Sequence, residues 1–163
     1  MTGHRAAAAL LILGSVSLLL GALAFEYIGG LAPCALCMTQ RWSHVAVILA
    51  ASSLLLHRNP PRLWGILAAA ASLHAAGQGF RHAGVELGWW AGPTTCSGTS
   101  QLIGQSGAEL LDFSQPVRVV RCTDVAWELL GVSMAGWNGI ITLAIGIAAF
   151  ALWRAKRPRK EVA

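Results

Sequence analysis

The sequence is poor in charged residues and in the common signatures of soluble enzymes. Only 12% of its 163 residues are Asp, Glu, Lys or Arg, against roughly 25% in soluble domains. We find no phosphate-binding glycine loop, no HExxH metal motif and no informative Ser/His/Asp grouping. Hydrophobic residues make up 55% of the chain. This composition excludes an ordinary soluble enzyme and places the chain in a membrane.

Four long apolar runs dominate the sequence. At about 1.5 Å per residue, about 20 residues cross the roughly 30 Å hydrocarbon core of a bilayer. The second and third runs are shorter and borrow flanking residues to reach this length. The pattern predicts an all-α membrane protein, a single-domain bundle of four transmembrane helices. The spans are at approximately 6–25, 37–56, 63–80 and 134–153, and the non-cytoplasmic loops at approximately 26–36 and 81–133.

A cleaved secretory signal is the alternative interpretation of the first run. Arg5 precedes it, and Ala22-Leu23-Ala24 is similar to a cleavage site. The run is longer than the usual apolar core of about 7 to 15 residues in a signal peptide. This length favours a retained span, and cleavage would leave the topology of the remaining chain unchanged.

The basic residues predict the orientation, because Lys and Arg accumulate in short cytoplasmic segments. Eight of the twelve basic residues lie on one side of the predicted membrane: Arg5, Arg58, Arg62, Arg154, Lys156, Arg157, Arg159 and Lys160. Both termini are therefore expected in the cytoplasm, an N-in/C-in topology. The net charge of +5 is accounted for by this topology without a nucleic-acid partner.

All four cysteines then lie on the non-cytoplasmic side, where disulfides are permitted. Cys34 and Cys37 form a CxxC at the start of the second span, and Cys96 and Cys122 lie in the long second loop. The simplest interpretation is two structural disulfides. The small CxxC ring would stabilise little, since the entropy gain grows with loop length, whereas a Cys96–Cys122 bridge would close a long loop.

Metal binding is a further alternative for the cysteines. Zinc bound by four cysteines usually shows two C-x2-C pairs, and the second pair here does not have that spacing. Iron–sulfur ligation is disfavoured for the same reason. CxxC pairs are better known as redox couples with a lowered thiol pKa.

The start of span two has the features of such a redox couple. Pro33 suits the first turn of a helix, so Cys34 and Cys37 are expected near a helix N-terminus, where the dipole favours a thiolate. Arg41 follows Cys37 by four residues and shares its helical face. Its side chain either extends to lipid headgroups or binds a polar group on a ligand between the helices. Gln40 would supply a second hydrogen bond.

A carbonyl oxygen on a lipid-soluble ring would fit both of these donors. Cysteine pairs only pass electrons on, so a redox centre at the lipid boundary requires an acceptor. An organic acceptor dissolved in the bilayer is the simplest one.

These residues resemble those of the DsbB family, which reoxidises the periplasmic oxidant DsbA with quinone. The motifs are "APCALCMTQRW" at the start of span two, "GPTTC" at 92–96 and "RCTDVAWELLGVSMAGWNG" at 121–139. The four spans and the two cysteine pairs match as well, so the resemblance covers nearly the whole chain. One departure is Ala135-Gly136 after Met134, where family members often have proline.

The resemblance implies a role for each cysteine. Cys34 and Cys37 are similar to the pair that exchanges electrons with quinone, with Cys37 as the thiolate next to the ring. Cys96 and Cys122 are similar to the loop disulfide that reduced DsbA attacks. By this analogy Cys96 forms the mixed disulfide, and Cys122 can turn toward Cys34.

The resemblance also implies the ligand and the location. Arg41 matches the quinone-associated arginine. His82 lies where members have a histidine near the quinone, although a boundary residue without a ligand is an equal alternative. The expected cofactor is ubiquinone or menaquinone, and the expected partner is a DsbA-like thioredoxin-fold protein. The location would be the bacterial inner membrane with the cysteines on the periplasmic side.

Three functions therefore follow from the sequence. The first is a thiol:quinone oxidoreductase that reoxidises a DsbA-like protein. The second is a non-catalytic four-helix scaffold with static disulfides. The third is an oxidoreductase of the same build with another dedicated thiol partner.

Overall fold

Four helices of 22 to 25 residues make up most of the computed structural model, which describes residues 3–93 and 120–155. At about 1.5 Å per residue, each is long enough to cross a bilayer. The helices are α1 (Gly3–Tyr27), α2 (Ala35–Leu56), α3 (Arg62–Glu86) and α4 (Met134–Ala155). A short antiparallel hairpin precedes α4, with β1 (Glu128–Leu129) paired to β2 (Val132–Ser133).

The helices pack in a ring in which each packs mainly against two neighbours. The main packing pairs are α1 with α2, α2 with α3, α3 with α4, and α4 with α1. The C-terminal ends of α1 and α3 meet the N-terminal ends of α2 and α4, as the contact of Cys34 with His82 illustrates. This end of the bundle also holds the hairpin and the CxxC.

Small side chains make up much of the interior, and many large apolar ones face outward. Ala8, Ala51 and Ala75 are almost fully buried, whereas Leu13 and Leu49 are about two thirds exposed. This is the reverse of a soluble bundle, and small residues let membrane helices approach closely. Of the described helices, α1 and α4 are apolar enough by length and composition to span a membrane.

The structure differs from the predicted 81–133 loop at both ends. Helix α3 continues to Glu86 and ends just before Gly88, whose φ is +72°, so His82 lies on a helix. Near the other end, Leu130 and Gly131 both have positive φ, at 55° and 74°, as a two-residue hairpin turn requires. Residues 94–119, including Cys96, lie outside the described part.

The backbones of helices α3 and α4 lie close together at a pair of glycines. A Cβ added at Gly79 would lie 2.6 Å from the backbone nitrogen of Gly139, well inside van der Waals contact. The approach lies next to Asn138 and one turn before His82, two residues of the site described below. The glycines therefore set the spacing of the two helices at the site.

We expect Gly79→Ala to destabilise the protein by about 1–3 kcal/mol, since overpacking at a rigid contact forces the backbones apart. Gly77→Ala is the matched control, because a Cβ at Gly77 on the same helix meets nothing within 4 Å. Thermal unfolding in detergent measures both variants. Equal melting temperatures for the two would contradict the proposed close contact.

Candidate active site

Cys34 is the N-cap residue of α2. Its backbone is extended, with φ −83° and ψ 174°, and its Sγ accepts a hydrogen bond of 3.2 Å from the Cys37 N–H. The helix begins one residue after Cys34, in agreement with the expectation from Pro33. A sulfur at this position faces the free N–H groups and the positive end of the helix dipole, which stabilise an anion.

Further hydrogen bonds converge on Cys34 from two helices. Its Sγ lies 3.0 Å from Cys37 Sγ and 3.5 Å from Nε2 of His82 on α3. Both thiols are free, and Cys34 is buried. The Cys37 thiol first, and His82 after it, lower the pKa of Cys34 from an ordinary 9.0 to about 4, against the opposing effect of burial. In this reduced state the hydrogen bonds from Cys37 and His82 favour the thiolate on Cys34. The assignment of the thiolate next to the ring to Cys37, which the resemblance implies, stays a prediction.

Alkylation of reduced Cys34 by iodoacetamide should therefore stay fast far below pH 9. A lowered pKa keeps the thiolate present above about pH 4, so the rate should fall only as the pH drops through that value. An ordinary thiol would lose about tenfold in rate for each pH unit below its pKa. Mass spectrometry of the Cys34 peptide gives the rate.

The matched controls for this measurement are two variants of Cys37. Cys37→Ser keeps a hydroxyl donor near Cys34, and Cys37→Ala removes it. The pH midpoint of Cys34 alkylation should rise further in Cys37→Ala than in Cys37→Ser. A midpoint near pH 9 in the unmodified protein would contradict the assignment of Cys34 as the thiolate.

Arg41 is tied to helix α1. Its guanidinium forms an ion pair with Glu26 and donates a hydrogen bond of 3.2 Å to the Ala22 carbonyl. Its Nε is buried and has no hydrogen-bond partner. The side chain is only 17% exposed, so it does not extend to the bundle surface as the headgroup alternative requires.

Gln40 and His82 belong to one buried hydrogen-bond chain. The Gln40 amide nitrogen lies 2.6 Å from His82 Nδ1, and its carbonyl oxygen accepts from the Asn138 amide on α4. Asn138 Oδ1 in turn lies 2.9 Å from Nε2 of His44 on α2. The chain joins α2, α3 and α4 and ends at Cys34.

A cavity of about 420 Å³ opens beside these residues. Drug-sized ligands typically occupy pockets of about 300 to 1,000 Å³. Apolar side chains from α1, α4 and the segment before the hairpin form much of its wall. The polar and sulfur-containing residues that line it include Cys34, Cys37, Gln40, Arg41, His44, His82, Glu86 and Asn138. The sequence-predicted residues of the described part, apart from Cys122, thus share one cavity.

Cys122 lies against the Cys34 end of this cavity. It is 1% exposed and packs in a small buried cluster with Cys34, Leu36 and Val85. It is disulfide-bonded. Cys96, the other predicted loop cysteine, falls outside the described residues. The structure therefore brings the loop cysteine Cys122 and the CxxC into one neighbourhood, although 85 positions separate Cys122 from Cys37 in the sequence.

Comparison with known proteins shows the family to which the chain belongs. The family profile described as "Disulfide bond formation protein DsbB" matches residues 4–152. The chain belongs to the DsbB family. As a DsbB-family member it is a helical membrane protein of disulfide bond formation, which supports a disulfide-generating oxidoreductase activity.

Individual DsbB relatives align over nearly their full length. "Disulfide bond formation protein B" of Neisseria meningitidis serogroup C is 31% identical over 161 residues, covering 93% of this chain and 97% of the relative. The protein of the same name from Verminephrobacter eiseniae is 30% identical, covering 91% and 85%. That from Saccharophagus degradans is 28% identical, covering 96% of each. No solved structure gives a significant match.

Helix α4 begins with Met134, Ala135 and Gly136, where the sequence departs from the DsbB pattern. In place of a proline in the first turn, the Ser133 hydroxyl accepts a hydrogen bond of 3.1 Å from the Gly136 N–H, which is the usual N-cap contact. Ala135 and Gly136 are both buried. The helix therefore begins at Met134 without a proline.

The zinc alternative does not fit the described residues. Cys34 Sγ, Cys37 Sγ and His82 Nε2 lie within 4.8 Å of one another, but a metal needs a ring nitrogen with a free lone pair. Because the Gln40 amide nitrogen can only donate, His82 Nδ1 accepts and Nε2 holds the hydrogen. Cys122 is in a disulfide, so it does not complete a four-cysteine site.

Three residues of the site were missed in the sequence: Glu26, Glu86 and Asn138. Glu26 pairs with Arg41, Glu86 lies 3.8 Å from His82 Nε2, and Asn138 joins the buried chain. Each is a polar residue inside or at the border of an apolar run, and in a membrane protein that placement alone indicates a functional or structural partner.

Proposed function

We propose that this DsbB-family protein is a membrane thiol:quinone oxidoreductase that reoxidises a DsbA-like periplasmic protein. The observation that supports this best is the position of the Cys34/Cys37 dithiol. It lies at a helix N-terminus, beside a largely apolar cavity, with Cys122 packed in the same buried cluster as Cys34. One sulfur pair thereby has access to both a lipid-soluble acceptor and a loop cysteine.

The proposed electron path consists of two disulfide exchanges. A thiolate of the partner attacks Cys96 of a Cys96–Cys122 disulfide and releases Cys122, and the partner's second thiol then displaces Cys96, so the partner becomes oxidised and the loop pair reduced. A Cys122 thiolate attacks Cys34 of an oxidised CxxC and releases Cys37. Cys96 then displaces Cys34, which restores the loop disulfide and leaves Cys34 and Cys37 as thiols. Each displacement breaks one S–S bond and forms one. The burial of Cys122 against Cys34 supports the second exchange.

Reoxidation of the CxxC requires an acceptor of two electrons and two protons. A quinone, ubiquinone or menaquinone, supplies that acceptor when it is bound in the cavity. Arg41, whose side chain lines the cavity, would bind a ring oxygen, and Gln40 and His82 line the same cavity. Cys34 and Cys37 release two electrons and two protons as their disulfide re-forms.

The proposed topology has four spans with both termini in the cytoplasm of the bacterial inner membrane. Lengths of 22 to 25 residues in all four helices support it, as do the large apolar side chains on the outer surface. The basic residues at the end opposite the CxxC, such as Arg5, Arg58 and Arg62, support the orientation by the positive-inside rule. The cysteines would then face the periplasm.

Quinone reduction by isolated membranes tests the function. A reduced DsbA-like protein should drive stoichiometric quinone reduction that depends on this chain. A static scaffold would support none, and an oxidoreductase with a different partner would reduce quinone only with that partner. Capture of a mixed disulfide by a Cys122→Ser variant, followed by peptide sequencing, identifies the partner.

A further inference from the structure

The hydrogen bonds of the buried chain from His44 to Cys34 all have a defined donor and acceptor. An amide nitrogen can only donate and an amide oxygen can only accept, so each link restricts the next. The Asn138 amide nitrogen donates to the Gln40 oxygen, which turns the Gln40 nitrogen toward His82 Nδ1 at 2.6 Å. His82 Nδ1 must then accept, and the ring hydrogen of the neutral imidazole lies on Nε2.

The groups at the Cys34 end of the hydrogen-bond chain also require the Nε2–H tautomer of His82. His82 Nε2 lies 3.5 Å from Cys34 Sγ and 3.8 Å from a carboxylate oxygen of Glu86, and both an ionised thiol and a carboxylate only accept. At the other end, Asn138 Oδ1 accepts from His44 Nε2 at 2.9 Å and from the Thr142 hydroxyl at 3.5 Å. The orientation of every group therefore agrees from α4 to the sulfur.

We propose that Asn138 and Gln40 are positioning residues that hold His82 as its Nε2–H tautomer, with this hydrogen directed at the Cys34 sulfur. The two amides touch neither sulfur, and they act only through the imidazole. Asn138 lies beside Gly139, whose backbone lies close to that of Gly79 on α3. The reactivity of a thiol on α2 is therefore set from α4, across the full width of the bundle.

Because these residues are buried, a change in the direction of one hydrogen bond affects the next. Gln40 is 8% exposed, His82 4% and His44 3%, so water does not readily replace a lost hydrogen bond, and an unpaired polar group is costly.

Other charged or titratable groups also face this site. From the packed elements these are Glu26, Cys37, Arg41, His44, Glu86, Arg121 and Asp124.

Asn138→Asp tests the proposal because aspartate has nearly the same shape as asparagine but lacks the two amide hydrogens that Asn138 can donate. A carboxylate at this position accepts from His44 and obliges Gln40 to turn its nitrogen toward it. The Gln40 oxygen then meets His82 Nδ1, which must hold the hydrogen, and Cys34 loses a donor. Asn138→Leu removes the orienting group without reversing it, and Ser43→Ala is a control for the loss of a buried hydroxyl outside the chain.

Two measurements on the reduced protein in detergent are required. The ¹⁵N chemical shifts of labelled His82 report which ring nitrogen holds the hydrogen, and the pH midpoint of Cys34 alkylation reports the thiolate. We expect Nε2–H in the unmodified protein and Nδ1–H in Asn138→Asp. The midpoint should rise by about one pH unit or more, with a smaller rise in Asn138→Leu and none in Ser43→Ala.

A double-mutant cycle separates positioning from a direct charge effect. In a His82→Phe background, Asn138→Asp should no longer move the midpoint. An undiminished shift in that background would overturn the proposal, as would folded Asn138→Asp and Asn138→Leu variants that both keep the original tautomer and midpoint. If Asn138→Asp fails to fold, Asn138→Leu and Gln40→Leu carry the same test.

The inference rests on the proposed function only in taking Cys34/Cys37 as the redox pair. Neither measurement needs quinone or a partner protein. Loss of quinone reduction with an intact tautomer and midpoint would therefore count against the proposed function alone.

Discussion

Replacing Cys37 with serine is expected to lower partner-driven quinone reduction by about 10³-fold or more, the scale of losing a reacting nucleophile. Serine keeps the size and a hydrogen-bond donor near Cys34, so the cavity and the helix start are preserved. It cannot form the disulfide on which electron transfer to an acceptor depends. Initial rates of quinone reduction with a reduced DsbA-like protein measure the effect.

The same variant should still exchange with the partner. The loop cysteines are unchanged, so a mixed disulfide at Cys96 should accumulate in Cys37→Ser membranes rather than disappear. Thr39→Ser is the matched control on the same helical turn, since the Thr39 hydroxyl bonds only to the Ala35 carbonyl among the described contacts. Quinone reduction at the normal rate in Cys37→Ser would contradict the proposed role of the CxxC.

Replacing Arg41 with methionine is expected to raise the apparent KM for quinone by about 10- to 100-fold. A hydrogen bond to a charged group contributes about 1.5–3 kcal/mol, and methionine keeps the length of the side chain without the charge. The turnover of partner thiols at saturating quinone should change less than the KM. Quinone titration of membrane-embedded variants measures both quantities.

Glu26 also affects this variant, since it pairs with Arg41 and its side chain is only 22% exposed, and a partly buried carboxylate without a partner is destabilising. The double variant Arg41→Met/Glu26→Gln removes both charges and so separates lost quinone binding from an unpaired Glu26. The KM should stay raised in the double variant. A return to the original KM would show that Arg41 acts by neutralising Glu26 and not by binding quinone.

Much of the site could be predicted from the sequence because its main residues are close in the chain. Pro33 and Cys34 directly precede α2, and Cys37 and Arg41 lie one turn apart on it, so helical spacing alone places Cys37 and Arg41 on one face. The start of α2 follows from the same residues. The family resemblance, carried by the CxxC and by "WELLGVSMAGWNG", is confirmed by the profile match.

The remaining parts of the site depend on contacts between distant segments. His82 was expected in a loop, and only the continuation of α3 to Glu86 turns its ring toward Cys34. The pairing of Gln40 with His82 and Asn138 joins residues 42 and 98 positions apart. Spacing along one helix cannot predict such pairs, because they depend on which helix faces meet.

Glu26 illustrates the same limit at the ion pair. Arg41 was interpreted through its own helix, as a headgroup or ligand contact. Its partner lies on α1, 15 positions away. The pairing arises because the end of α1 packs against the first turns of α2, which a one-dimensional pattern does not reveal.

The order of electron flow is tested most directly by following the thiols of quinone-depleted protein. One equivalent of reduced DsbA-like protein is added first, and one equivalent of quinone second, with alkylation and peptide mass spectrometry after each step. The account predicts that the first addition exposes thiols at Cys34 and Cys37, and that the second removes them as one equivalent of hydroquinone forms. Hydroquinone formation without any change in the labelling of Cys34 and Cys37 would contradict it.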